Sequence, residues 1–131
     1  MTAVDTHILI WDALEPSRLS STAKEAITSA NETDGLLVSD ISLWEIAMLI
    51  DKGRIQVDTD CQSFLELIVN ANQIHVQPIM TEIAARSTQL PSLINADPAD
   101  RLIVATALAH DVPLVTADRN LRDAELITTI W

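Results

Sequence analysis

Short apolar runs of strand type alternate with helical stretches along the whole chain, and this alternation restricts the fold more than any other feature. The runs are residues 2–5 (TAVD), 36–39 (LLVS), 75–79 (HVQPI), 113–116 (PLVT) and 126–130 (LITTI). Helical candidates fill the intervals at about 20–31, 41–51, 61–72, 81–89 and 98–110. Strands separated by helices need crossover connections, so the expected fold class is α/β, with a central parallel β-sheet of about five strands flanked by helices. A chain of 131 residues with 48% hydrophobic content fits one domain spanning 1–131. No repeat, low-complexity tract or linker divides it, and glycine occurs only at Gly35 and Gly53.

Two helices carry more detail. In 61–72, Phe64, Leu65, Ile68 and Val69 form one stripe with Gln62, Glu66 and Asn70 elsewhere, which predicts a helix covering one face of the sheet. The segment 98–110 is apolar nearly all round after Arg101 and should lie deep against the sheet. Asp97 and Asp100, at its start, would then stand on a rigid support.

In open parallel sheets, ligands bind beyond the carboxyl ends of the strands, near the point where strand order reverses. Asp5 closes the first run, Glu45 lies one turn into the helix after the second, and Asp118 follows the fourth. Asp97 and Asp100 open the helix that feeds the fourth run. Each acid also has a structural explanation. Asp5 can cap a helix starting at Thr6, Asp97 can cap the helix opened by Pro98, and Asp118 can cap a turn over RNLR. Glu45 can complete a capping box with Ser42, and Asp100 can complement the helix dipole or pair with Arg101. If the acids instead converge, their repulsion demands a cation, and hard oxygen donors suit Mg²⁺ or Mn²⁺ rather than zinc. The chemistry that follows is metal-assisted phosphoryl transfer or hydrolysis.

The net charge of −11, from 19 acids and 8 bases, disfavours ordinary basic-patch binding of nucleic acid. It does not exclude a nuclease whose bound cations invert the local field. The single Cys61 cannot form an internal disulfide, and the N-terminus lacks the basic flank and apolar run of a secretory signal, so a cytoplasmic location is expected. No apolar run approaches the roughly 18 residues of a membrane span. His7, His75 and His110 lack zinc-site spacing and receive no role, while Trp11, Trp44 and Trp131 read as core or interface residues. There is no phosphate-binding glycine loop and no G-x-S-x-G elbow.

At this point the motifs match a known family. VDTHILIW, SDISLWEIAMLIDKGRI, DPADRLIVATA and PLVTAD, with LITTIW at the end, resemble in order and spacing the acidic motifs of the PIN-domain ribonucleases, and within them the VapC-like toxins of toxin–antitoxin pairs. The resemblance covers essentially the whole chain and implies a single PIN-like domain that cuts RNA phosphodiesters with Mg²⁺ or Mn²⁺. It implies an acidic quartet of Asp5, Glu45, Asp100 and Asp118, with Asp5, Asp100 and Asp118 contacting metal and Glu45 acting through water. Asp97 keeps its capping role and leans on the outer shell of the metal; Thr6 and Thr116 orient the aspartates; Arg101 and Arg119 reach phosphate. Ordinary turn or surface contacts are the alternative for each of these supporting residues. The partners implied are RNA, a VapB-like antitoxin with a basic C-terminal arm, and a second copy of the chain.

Two readings from other classes compete. Receiver-type phosphoacceptor domains share the length, the alternation and strand-end aspartates, but they carry a lysine after the final strand, and this chain has only Lys24 and Lys52. They also place an aspartate after the third strand, where HVQPIMTE offers Glu82. An aspartate-nucleophile phosphatase needs a second aspartate at the position of His7. A catalytically silent, antitoxin-binding PIN protein is disfavoured because the quartet is intact.

Overall fold

The computed structural model describes all 131 residues. Five strands, β1 (Thr2–Val4), β2 (Leu36–Ser39), β3 (Ile74–Gln77), β4 (Leu114–Val115) and β5 (Thr129–Ile130), form one sheet in the order β3-β2-β1-β4-β5. Every pairing is parallel. The connecting helices are α1 (Thr6–Leu14), α2 (Ser21–Glu32), α3 (Asp40–Asp51), α4 (Cys61–Ala71), α5 (Thr81–Gln89), α6 (Pro98–Ala109) and α7 (Arg119–Asp123), with a 3-10 turn at Pro16–Arg18. The chain steps outward from β1 to β3, then returns to lay β4 on the other side of β1, so strand order reverses between β1 and β4. Receiver domains follow the order 2-1-3-4-5, with the switch between β1 and β3. This topology removes that rival.

Successive strand residues point to opposite faces, and the two cores show it. Val4, Leu36, Val38 and Val115 pack with Ile8, Leu9, Ile27, Phe64 and Ile68 on one side. Ala3, Leu37 and Leu114 pack with Ile94, Ile103, Val104, Ala107 and Leu121 on the other. A sheet covered on both faces needs apolar residues at every position, which is why its strands read as unbroken runs rather than alternating ones. The unbroken burial of residues 103–107 bears out the deep placement of α6. Phe64 and Ile68 of the predicted stripe are buried in the first core, and Leu65 and Val69 are partly buried.

The largest departure from the sequence reading is α1, where only a cap had offered a hint of helix. THILIWDAL is apolar around most of its circumference and has no 3.6-residue stripe to betray it. β3 also starts a residue earlier than expected and stops at Gln77, because Pro78 has no N–H and the Ile79 N–H turns to the Asp40 carboxylate at 3.3 Å. Gly35 enters β2 at φ +91°, and a Cβ there would stand 2.5 Å from the Gln73 carbonyl oxygen, so only glycine fits. No helix is long and apolar enough to cross a membrane.

Candidate active site

The β1/β4 switch point supplies the site. The Asp5 N–H donates to the Val115 carbonyl at 3.2 Å, which locks the end of β1 beside the end of β4. Beyond this edge lies a pocket of about 320 Å³, and Asp5, Glu45, Asp97, Asp100 and Asp118 all line it. All four predicted quartet members and Asp97 are therefore brought together from four segments: the end of β1, the first turns of α3, the start of α6 and the end of β4.

Capping and site lining prove compatible, because each cap uses only one carboxylate oxygen. Asp5 Oδ1 accepts from the Ile8 N–H at 3.1 Å, and its Oδ2 takes the Thr116 hydroxyl proton. Asp118 Oδ1 accepts from the Leu121 N–H at 3.2 Å and its Oδ2 from the Asn95 amide at 2.8 Å. Asp97 caps α6 through Oδ1, which accepts from Ala99 at 2.8 Å. A helix start thus fixes the rotamers of Asp5, Asp97 and Asp118 through one oxygen and leaves the other for a different partner.

Two of the structural alternatives fail. The cap of α3 is Ser39, not Ser42, and Glu45 instead receives the Thr6 hydroxyl proton. With its only proton spent there, Thr6 Oγ1 accepts from Ser42 at 3.0 Å. Asp100 does not pair with Arg101. Its Oδ2 accepts from Asn95 at 3.0 Å, while the Arg101 guanidinium donates to the carbonyls of Ser87 (3.0 Å), Leu90 (2.6 Å) and Ile94 (3.4 Å). Arg101 is a clamp on the loop between α5 and α6. Arg119 is exposed on α7, and neither arginine lines the pocket.

Burial dominates the electrostatics. It raises the carboxyl of Asp5 above its ordinary value against the pull of the Thr116 and Ile8 hydrogen bonds. Glu45 is raised for the same reason, opposed by Thr6 and reinforced by the charge of Asp97. Asp100 is pushed up to about 6 by burial, with the charges of Asp97, Asp118 and Glu45 adding to it and the Asn95 bond opposing. Acids raised together in this way store a preference for a cation.

Asn95 escaped the sequence reading. Its amide bridges Asp100 and Asp118. A neutral loop residue carries no charge pattern; the only available signal was its place two residues before Asp97. His7, given no role, lines the pocket as well.

A PIN-domain family model matches residues 2–126. The chain belongs to the PIN-domain family. This PIN domain is 43% identical over 124 residues to Ribonuclease VapC22 of Mycobacterium tuberculosis, covering 93% of this chain and 92% of that one. Its fold is similar to that in VapBC2 of Rickettsia felis bound to a promoter DNA fragment, with TM-score 0.75, 16% identity and coverage of 98% and 96%. It is similar also to a toxin–antitoxin complex from Klebsiella pneumoniae, with TM-score 0.69, 21% identity and coverage of 100% and 97%.

The donor types in the pocket of this PIN domain fit a hard divalent cation: the oxygens of five carboxylates, with burial raising Asp5, Glu45 and Asp100, and no thiolate. No three acidic, histidine or cysteine side chains are grouped tightly enough to hold an ion as they stand. The hydroxyls of Thr6 and Thr116 and the Asn95 amide hold the carboxylates singly or in a pair, so shared coordination requires the carboxylates to turn inward.

Proposed function

We propose that this protein is an endoribonuclease that acts as the toxin of a toxin–antitoxin pair, hydrolysing RNA phosphodiesters with Mg²⁺ or Mn²⁺. The observation that carries the reading is the convergence of Asp5, Glu45, Asp97, Asp100 and Asp118 on one pocket at the strand switch. The 43% identity to a protein named as a VapC ribonuclease supports it. Asp5, Asp100 and Asp118 would hold the cation, with Glu45 reaching it through water. When bound, a divalent cation offsets the acidic charge, polarises the phosphoryl oxygens and makes water a better nucleophile at neutral pH.

The chain's own groups do the rest. Thr116 and Thr6 tether the carboxylates of Asp5 and Glu45 at the pocket, from which an inward turn would bring them to the cation. Glu45 Oε1 is occupied by Thr6, and Oε2 remains to accept a proton from the attacking water; its raised proton affinity makes it a better base than an ordinary carboxylate. Asn95 keeps Asp100 and Asp118 in register. A VapB-like antitoxin with a basic arm complements the acidic pocket electrostatically. A second copy of the chain would cover Trp44 and Met80, which are 58% and 59% exposed.

Labelled RNA titrated with Mg²⁺, using wild type and Asp5→Asn side by side, tests the proposal. Cleavage should require the metal, stop with chelator and fall at least about 100-fold in the variant. Equal turnover by Asp5→Asn at equal purity refutes it.

A further inference from the structure

A second groove of about 770 Å³ opens directly from the acid pocket, sharing His7, Trp11, Glu45 and Asp97 with it. Beyond the shared residues it is lined by apolar Ile10, Leu49 and Ile55, by Arg18 and Arg54, and by Glu15. The chain has 8 basic residues against 19 acids, and no other lysine or arginine lines either cavity. Arg54 is exposed and joins no ion pair. Arg18 meets Glu15 only at 3.8 Å, and its guanidinium lies over the Trp11 ring, 4.5 Å from the centroid.

We propose that this groove is a subsite for single-stranded RNA, in which Arg54 holds a backbone phosphate next to the one being cut and the Arg18–Trp11 stack carries the adjoining base. The inference rests on the ribonuclease reading above and extends it to how the substrate is held. A molecule of charge −11 repels a polyanion at a distance, so the strand needs local cations where it enters. The groove supplies two, Arg18 and Arg54, and adjoins the acid pocket through the shared residues. A guanidinium plane backed by indole is the kind of surface on which unpaired bases stack. The arginine fork suits phosphate oxygens better than an ammonium does. Glu15, Glu45 and Asp97 line the same groove, so a basic peptide arm competes with the strand for it and is one outcome of the test.

The test compares Arg54→Ala, Arg54→Lys and Lys24→Ala, the last removing one positive charge from α2, outside both cavities. Cleavage kinetics on labelled single-stranded RNA are measured in the wild-type background. RNA affinity is measured by fluorescence anisotropy in the Asp5→Asn background. Arg54→Ala should raise KM and Kd about tenfold, as for loss of a hydrogen bond to a charged group, with kcat changed less than twofold. It should also flatten the log–log salt dependence of Kd by about 0.7. Arg54→Lys should restore most of the salt slope but only part of the affinity, and Lys24→Ala should move neither. Unchanged KM and Kd in Arg54→Ala overturn the subsite, and a loss confined to antitoxin affinity assigns the groove to the protein partner instead. Wild type that cleaves no RNA refutes the ribonuclease reading itself, an outcome distinct from a silent Arg54.

Discussion

Replacing Asp100 with asparagine removes one charge from the pocket while keeping an oxygen that can accept from Asn95, which makes it a direct probe of the stored repulsion. The carboxyl of Asp100 is raised from 3.8 to about 6, chiefly by burial. Complete burial would make such a rise worth about 3 kcal/mol of destabilisation in the ionised state. Asp100 is only half-buried, and solvent screening reduces this to about 1.5 kcal/mol. Its place in the first turn of α6 returns about 0.5 kcal/mol through the helix dipole, leaving a net gain of about 1 kcal/mol for the variant. For a chain of this length that is a rise of about 3–5 °C in Tm.

The sign depends on pH. Below 3.8 the group is protonated in both folded and unfolded chains and the wild type carries no penalty; as pH rises through about 6 the folded chain must give up its proton and the penalty appears in full. Asp100→Asn should therefore melt higher than wild type at pH 7.5 in chelator, and the gain should vanish near pH 4. Saturating Mg²⁺ should reverse the order, since the wild type alone keeps the complete ligand set. A variant that melts lower at pH 7.5, or a gain that persists unchanged at pH 4, refutes the account of a repulsive, cation-seeking pocket.

Arg101→Ala strips the α5–α6 loop of its clamp and leaves the Ser87, Leu90 and Ile94 carbonyls without this donor; it should cost about 2–4 kcal/mol in denaturant unfolding. Asn95 and Asp97 ride on that loop, so cleavage should fall as well. Asn95→Ala removes the donor shared by Asp100 and Asp118 and should lower stability by about 1–2 kcal/mol at pH 7.5, read by thermal unfolding in chelator. No change in either variant would contradict the bonding described.

Much of the fold was legible because a doubly covered parallel sheet writes itself as alternating apolar runs and helices, and all five runs became strands. The strand order was not legible: local pattern says nothing about which side of β1 receives β4. α1 hid because it lacks an amphipathic stripe, although Asp5 before it carried a cap signal that the structure honours. The acids could be read one by one, since charge among apolar runs is conspicuous, but whether each capped or lined a pocket looked like a choice. The two oxygens of a carboxylate make it a division of labour instead. Asn95 and the Arg101 clamp depend on tertiary contacts between side chains and loop, and no spacing rule encodes those.

The pairing of Thr116 with Asp5 spans 111 positions of chain. On a ribosome the first aspartate emerges long before its partner, and the early strands can associate while the slot beside β1 still waits for β4. An incomplete polypeptide of this design has neither the hydroxyl that steadies Asp5 nor Asp118, and so lacks the assembled pocket. For a nuclease whose own messenger lies within reach during synthesis, late assembly delays harm until β4 and Asp118 have been made.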